Sequence, residues 1–296
     1  MSQTALRAAG VLGGLVVVGI SAGTAAGAGA VVSIGDSGTT ASRLLADGDA
    51  LALTAQGYSV TRVGYPDAFS ADAAMRAGSV DVYVTDTATL LRRVLARSVE
   101  RREARLGAAL SAPLQARGQA VVAWAPADDA PAVTCSRKAM KRFGIGRLDR
   151  IASVSKNVVY AATPEHVVRA DGLVALRAQF KRVLVTSGAA RFTLLRRGKA
   201  DCVLSSAAEP RVTGAAFLTL KDPSRRLAGT PAHPVTVASA HYLAGAPATF
   251  APTVTSVAGR FTTPQLRTAR GAVEVTGGSV TDVARTVLVA GGLPVQ

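Results

Sequence analysis

The chain has 296 residues, of which 49% are hydrophobic and only 4% are aromatic, and its formal net charge is +15. This length suits one large α/β unit or two medium domains with an aliphatic core. Because the basic residues are spread along the chain and are not interleaved with stacking aromatic residues, the charge does not indicate nucleic-acid binding.

The N-terminus has the pattern of a secretory signal peptide. Arg7 precedes an apolar stretch over residues 11–20, and the small residues that follow, up to Ala30, fit cleavage sites. We therefore predict that residues 1–30 are a signal peptide and that the protein is exported, to the cell surface or the periplasm. An uncleaved membrane anchor is the alternative, although the stretch is short and interrupted by glycine.

Strands and helices alternate along the rest of the chain, which predicts mainly parallel sheets with helices on both faces. The first predicted elements are strands at 30–34, 58–63, 80–84 and 120–124 and helices from residue 40 and at 70–77. Between the first strand and helix, residues 35–40 form a glycine-rich turn without the spacing of a P-loop. The basic run 92–105 has apolar residues at helical spacing, which predicts an amphipathic helix with a solvated face. Contact with a membrane surface or an acidic partner is the alternative for this run.

Two proline-containing segments divide this pattern into two lobes. Pro126 and Pro131 mark the first connection, and residues 221–234 mark the return. Between them a second α/β set is predicted, with helices at 138–143, 173–180 and 190–197 and strands at 158–162, 183–186 and 200–205. We therefore predict two hinge crossovers, with residues 31–123 and 226–296 in lobe 1 and residues 124–225 in lobe 2.

The histidines and cysteines give no sign of catalysis. His166, His233 and His241 are neither paired at helical spacing nor placed beside cysteines, and no G-x-S-x-G occurs. We therefore predict that the protein is not an enzyme and has no metal or cofactor. Cys135 and Cys202 are the only cysteines, and in an exported protein an even pair predicts a disulfide. Two unpaired buried thiols are the alternative.

Five segments in a characteristic order carry a family resemblance. They are I-G-D-S at 34–37, A-G-S-V-D-V-Y at 77–83, A-T-P-E with R-A-D-G-L at 162–173, R-F to G-K-A-D at 191–201, and the C-terminal helices at 261–284. Together they resemble the glycine betaine, choline and related quaternary-ammonium substrate-binding proteins of ABC importers, over residues 32–293. The resemblance implies a type II periplasmic-binding-protein fold, in which two lobes close on a small solute for delivery to a membrane permease. We expect a monomer without a nucleic-acid partner. An exported ligand-sensing or surface-interaction protein with a degenerate cleft is the alternative.

The same resemblance implies a changed binding site. The family surrounds a quaternary ammonium with aromatic rings, and these cage aromatics fall at Asp86, near Ala132, at Phe192 and near Ser206 of this chain. Only Phe192 keeps a ring, with plain core packing as its alternative role. The family's loop lysine falls at Ser37.

Two polar contacts of the family are kept. Arg169 matches the arginine that binds a ligand carboxylate, and Thr89 matches a threonine able to donate a hydrogen bond. We therefore expect a zwitterionic or polar solute held by Arg169 at one end and by Asp86 at the other. Internal pairing of Arg169 with Asp171 or Glu165, and a helix-capping role for Asp86, are the alternatives.

Two further rings lie near the predicted site in sequence. Tyr83 belongs to an apolar strand and is expected in the core. Trp124 is expected either in the hinge or in the cleft wall.

Overall fold

The computed structural model of the chain describes residues 29–168 and 172–295. Within these residues the chain forms ten strands and twelve α-helices around two five-stranded sheets. The strands are β1 (Val31–Asp36), β2 (Ser59–Gly64), β3 (Val82–Asp86), β4 (Gln119–Trp124), β5 (Pro131–Ser136), β6 (Val159–Ala162), β7 (Arg182–Val185), β8 (Cys202–Ser206), β9 (Phe217–Thr219) and β10 (Pro234–Ser239). The helices are α1 (Thr40–Ala55), α2 (Ala68–Arg76), α3 (Thr87–Thr89), α4 (Glu103–Gln115), α5 (Arg137–Phe143), α6 (Ile151–Val154), α7 (Pro164–Val168), α8 (Ala190–Arg196), α9 (Ala240–Gly245), α10 (Phe250–Ala258), α11 (Thr263–Glu274) and α12 (Val280–Ala290). The predicted signal peptide lies outside the described residues except for its last two positions.

The two sheets have the same plan, and together they confirm the predicted two-lobed α/β architecture. Sheet A has the order β2-β1-β3-β10-β4, and sheet B has the order β7-β6-β8-β5-β9. In sheet A, β10 is antiparallel to both of its neighbours, and in sheet B the same is true of β5. The other four strands of each sheet share one direction. In each sheet the reversed strand is therefore the one that the chain enters after crossing from the other lobe.

Apolar residues cover both faces of sheet A, as expected for a sheet of mainly parallel strands. Along β3, Val82 and Val84 pack into a cluster with α1, α10, α11 and α12, whereas Tyr83 packs with α2 and α4 on the opposite face. This alternation follows from the two-residue period of a strand. Tyr83 is fully buried and is a core residue.

Sheet B carries a smaller core and the predicted disulfide. Tyr160 and Ala162 of β6 face one apolar cluster and Ala161 faces the other. Cys135 on β5 lies directly opposite Cys202 on β8, and the two sulfur atoms are bonded. The crosslink ties the reversed strand of lobe 2, β5, to its antiparallel neighbour β8.

The two connections between the sheets bind to each other. Ala125 donates its N–H to the carbonyl of Pro234 at 2.8 Å, and Asp129 donates its N–H to that of Ala232 at 3.1 Å. The Asp128 carboxylate accepts hydrogen bonds from the Arg225 guanidinium and the Ala232 N–H, both at 2.9 Å. The predicted lobe limits fall at the end of β4 and inside the second connection, and we propose them as the limits of the two lobes.

Three local predictions were wrong. The basic run 92–105 is not one helix: a π-helical turn, Leu90–Val94, is followed by Ala96 at a φ of 50°, and α4 begins only at Glu103. A left-handed backbone at a non-glycine residue cannot continue a helix. The helix predicted at 173–180 is a single 3₁₀ turn, Leu173–Leu176, ended by Arg177 in the same left-handed region. Strand β5 was missed because Pro131 was taken only as a breaker, although proline is accepted at the first residue of a strand.

Candidate functional site

Two adjoining cavities lie between the lobes. The first, of about 260 Å³, is bounded by the start of α1, the end of β3, α3, the π-helical turn and both connections. The second, of about 430 Å³, is bounded by α7, α8, the end of β8 and α11. Asp129 and Pro131 line both cavities. They therefore form a common wall where the first connection enters lobe 2.

The glycine-rich turn after β1 packs closely against the neighbouring backbone. Gly38 has a φ of 77°, and a Cβ there would approach the Pro66 carbonyl to 2.8 Å, so only glycine fits. Ser37 is buried and donates its N–H to the carbonyl of Val84 at 3.0 Å. Thr39, which caps α1, lines the first cavity, whereas Ser37 lines neither cavity. The predicted role of Ser37 in ligand binding stays a prediction.

Asp86 and Thr89 lie together at the wall of the first cavity. One carboxylate oxygen of Asp86 accepts the N–H of Thr89 at 2.8 Å and so caps α3. The capping role and the cavity position therefore coexist. No Lys, Arg or His pairs with Asp86 among the residues that the structure describes. The other carboxylate oxygen of Asp86 has no hydrogen-bond partner in the part of the chain that the structure describes.

Asp129 adds a second carboxylate to the same cavity. Both of its oxygens lie 2.8 Å from Nη1 of Arg270 on α11. Burial raises the pKa of the Asp129 carboxyl above its ordinary value; the charge of Arg270 opposes this shift, and the nearby charge of Asp86 adds to it. Arg92 and Arg93 also line this cavity. The first cavity is thus lined by groups of both charges. Of its two carboxylates, Asp129 is paired with Arg270, whereas Asp86 has no ion pair among the described residues.

The lobe 2 side of the cleft holds Ser206 and Ala132. Ser206 lines the second cavity, and its hydroxyl accepts a hydrogen bond from Arg270 at 3.0 Å. Ala132 lines neither cavity, and its carbonyl accepts from the hydroxyl of Ser205 at 3.2 Å. Its neighbour Pro131 is the residue of β5 that reaches both cavities.

Phe192 is buried beneath the second cavity. The side chain is 1% exposed and packs in the lobe 2 core with Leu195 and Val212. The guanidinium carbon of Arg191 lies 4.2 Å from the centre of its ring, and that of Arg211 lies 5.7 Å from it. The ring therefore packs against the guanidinium groups of Arg191 and Arg211, and Phe192 itself lines neither cavity.

Arg169 lies outside the described residues, so its predicted contact with a ligand carboxylate stays a prediction. Several other charged residues of the cleft were missed by the sequence reasoning, among them Asp129, Arg191 and Arg270. Asp129 belongs to the proline-flanked connection, which could have drawn attention to it. Arg270 lies on a C-terminal helix far along the chain, and nothing in the local sequence distinguishes it from a solvated arginine.

The comparisons with known proteins agree with this architecture. Residues 30–289 match the family model described as the substrate-binding domain of ABC-type glycine betaine transport systems. The chain belongs to this family. No curated protein matches it.

Solved structures of similar fold include a glycine betaine/carnitine/choline ABC transporter protein, with a TM-score of 0.79 and 17% identity over 88% of this chain and 99% of that one. Apo YehZ from Escherichia coli has a TM-score of 0.72 and 16% identity, over 89% of this chain and 99% of that one. Lactococcal OpuAC with bound glycine betaine has a TM-score of 0.57 and 11% identity, over 88% and 96%. At these identities the likeness concerns the fold, and it confirms the two-lobed type II class.

Membership of this family makes the chain a solute-binding protein of an ABC transport system, a family of extracytoplasmic transport proteins and not of enzymes. No helix within 29–168 and 172–295 is long and apolar enough to cross a bilayer.

The cleft differs from the aromatic cage that the family resemblance implies. None of the described residues that line the two cavities is a Phe, Tyr or Trp. Trp124 is 40% exposed and lines a separate apolar groove between α4, β4 and α10. Its ring lies 5.9 Å from that of His233. The carbonyl of His233 accepts the N–H of Thr87 on α3, and Nδ1 of His233 is hydrogen-bonded to the carbonyl of Ala127 in the first connection. Trp124 therefore packs beside the hinge and away from the interlobe cavities.

Proposed function

We propose that the chain captures a small zwitterionic or polar solute that carries N–H donors and delivers it to an ABC permease. A quaternary ammonium has no N–H and is recognised through aromatic faces. A primary or secondary ammonium instead donates hydrogen bonds, for which a carboxylate is the strongest common acceptor. The observation that carries the proposal is Asp86, a carboxylate with no cationic partner among the described residues, at a cavity whose described lining has no aromatic ring.

The first cavity supports a small solute. Its volume of about 260 Å³ is of the order needed for a few non-hydrogen atoms with some retained water. Hydroxyl groups of Thr39, Ser42, Thr85 and Thr89 line it beside Asp86. Such groups suit a polar ligand better than an apolar one.

The proposal extends to the setting of the protein. We propose export directed by residues 1–30, with the membrane-anchored form as the alternative, and action as a monomer without nucleic acid or chemistry of its own. Solute binding between the lobes would favour their closure, and the closed form is what the permease would recognise. The proposed contact of Arg169 with the solute's carboxylate rests on the family resemblance alone.

Titration calorimetry with amino acids, betaines and choline tests the ligand class. We expect ligands with N–H donors to bind the wild-type protein, and Asp86→Asn to weaken them by about 10- to 100-fold, because a charge-assisted hydrogen bond is lost. Asparagine is as good a helix cap as aspartate, so α3 is retained. Asp67→Asn is the matched control, since Asp67 caps α2 through Ser70 at 2.8 Å and lines neither cavity.

Two results would contradict the proposal or one of its contacts. Tight binding of choline or glycine betaine, with Asp86→Asn unchanged, would show that the cleft keeps the family's quaternary-ammonium preference. Equal binding by wild type and Arg169→Ala would remove Arg169 from the site.

A further inference from the structure

The second cavity contains an arginine whose position is fixed entirely by neutral groups. Nε of Arg191 donates to the carbonyl of Leu204 at 2.7 Å, and Nη1 donates to the carbonyl of Gly188. The guanidinium plane also lies over the Phe192 ring. Two carbonyls and one aromatic face hold the group in a single orientation, which leaves Nη2 without a hydrogen-bond partner in the described residues.

The other charged groups of this wall are already matched. Asp129 is paired with Arg270 at 2.8 Å, and Glu209 is paired with Arg211 at 3.0 Å. Glu165 also lines the cavity and has its own interactions. No carboxylate forms an ion pair with Arg191 among the described residues. Within the described part of the chain, Arg191 is therefore the guanidinium of the second cavity that has no ion pair, as Asp86 is the carboxylate of the first cavity that has none.

The cost of burying the Arg191 guanidinium also favours an anionic ligand group at this position. Desolvation lowers the pKa of the Arg191 guanidinium, and Glu209 only partly opposes this effect. The group nevertheless remains charged, because the ordinary pKa of arginine is far above neutrality. Burying a cation that has no direct ion pair is costly, and an anionic ligand group would reduce that cost.

We propose that Arg191 binds the carboxylate of the solute whose ammonium Asp86 holds, alongside the contact of Arg169 that the family resemblance implies; the assignment rests on the proposed function. Asp86 lines only the first cavity and Arg191 only the second, with Asp129 and Pro131 between them. The two charged groups of the solute are therefore separated by a spacer, as in an ω-amino acid. An α-amino acid, in which both charged groups are attached to one carbon, is the short ligand for comparison.

Calorimetry with 5-aminopentanoate, 4-aminobutanoate, glycine and pentylamine tests this assignment. We expect 5-aminopentanoate and 4-aminobutanoate to bind the wild-type protein more tightly than glycine does. Arg191→Gln should weaken both by about 10- to 100-fold, and it should leave pentylamine, which has no carboxylate, unchanged. Arg191→Lys keeps the charge but not the planar guanidinium group. Its affinity for the two ω-amino acids should therefore lie between those of the wild type and Arg191→Gln.

Arg196→Gln is the matched control, because Arg196 lies on the same helix and is exposed outside both cavities. Thermal unfolding of each variant shows whether the fold is retained. If the ω-amino acids bind Arg191→Gln as well as wild type, Arg191 is not a ligand group. If, in addition, Asp86→Asn loses them, the proposed function stands while the Arg191 assignment fails. Loss in Arg191→Gln but not in Asp86→Asn would overturn the role of Asp86 alone. If none of the four probes binds wild type, the assignment is overturned, and solute capture is then tested by native mass spectrometry of co-purified compounds.

Discussion

The two lobes share one strand plan but reach stability by different means. Lobe 1 surrounds its sheet with long helices, among them α1 with 16 residues and α4 with 13. The α-helices of lobe 2 are short, and its longest, α5 and α8, have 7 residues each. Isolated helices of that length are not stable in water. Lobe 2 therefore depends on sheet B and on the Cys135–Cys202 bond, and the crosslink is located in the lobe with the smaller apolar core.

Removing the disulfide is expected to have the largest effect on stability, and it should make lobe 2 less stable than lobe 1. The disulfide closes a loop of 67 residues, for which the chain-entropy model gives about 4 kcal/mol. We expect Cys135→Ala with Cys202→Ala to lower the free energy of unfolding of lobe 2 by roughly that amount. Hydrogen exchange should then show sheet B opening well before sheet A, because lobe 1 contains no cysteine.

Wild-type protein treated with a reductant serves as the control, since it loses the bond without a change in side-chain volume. Equal loss of protection in both sheets would mean that the lobes unfold as one unit, and the contrast between them would then be wrong.

The contrast between the lobes also explains which elements could be predicted. Strand alternation and helix starts in lobe 1 follow from local sequence: Asp67 caps α2, and Thr262 and Gln265 form a capping box at α11. In lobe 2 the short turn at 173–176 was predicted as a longer helix, because its ending depends on the left-handed backbone of Arg177. Short elements carry too few residues for a period to show, and tertiary contacts decide their limits.

The candidate site could be predicted only in part, for a similar reason. Asp86 and Thr89 follow a recognisable strand end, so the sequence locates them. Arg191 belongs to a segment that the sequence analysis had singled out. That it has no ion pair among the described residues depends on the carboxylates that Arg211 and Arg270 pair with in three dimensions. Those pairings join residues up to 141 positions apart, a separation that no local pattern reports.

A buried carboxyl in lobe 1 gives a smaller effect with a defined pH dependence. Asp49 on α1 is fully buried; Thr236 donates to Oδ2 at 2.8 Å, and Oδ1 has no partner in the described residues. Burial raises the pKa of Asp49 from 3.8 to about 8. The folded state thus keeps a proton that the unfolded chain releases, so this group reduces stability progressively as pH rises from 3.8 towards 8.

Asp49→Asn removes that dependence, because asparagine resembles the protonated carboxyl. We expect it to raise the free energy of unfolding by about 1–3 kcal/mol at pH 8 and to have little effect at pH 4, as measured by denaturant unfolding. Asp47→Asn on the same helix is the control: it breaks an ion pair with Arg62 at 2.9 Å and should bring no gain at pH 8. A gain of equal size at both pH values would show that Asp49 does not titrate in this range.

The smallest expected effect concerns the contact between the lobes. Glu274 on α11 accepts from Arg211, on the lobe 2 segment after β8, at 2.7 Å and from Arg270 at 2.8 Å. Burial alone would raise the pKa of Glu274, but the hydrogen bonds and charges of the two arginines outweigh it and hold the pKa below its usual value. The stabilising contribution of this carboxylate is therefore present above its unfolded pKa of about 4.3, and it is lost as pH falls through the lower folded value.

We expect Glu274→Gln to cost about 1 kcal/mol at pH 7 and to shift the lobes towards a more open arrangement, measured by small-angle scattering or by fluorescence transfer between labels on α1 and α8. Acidification of the wild-type protein below about pH 4 should cause the same opening, and the variant should no longer respond to pH in that window. Asp149→Asn, which removes an exposed ion pair with Arg147 inside lobe 2, should leave the distance between the labels unchanged. If wild type and Glu274→Gln open alike on acidification, another carboxylate controls the contact. Since Arg211 also lies over Phe192 beside Arg191, a positive result would connect the arrangement of the lobes directly to the wall of the second cavity.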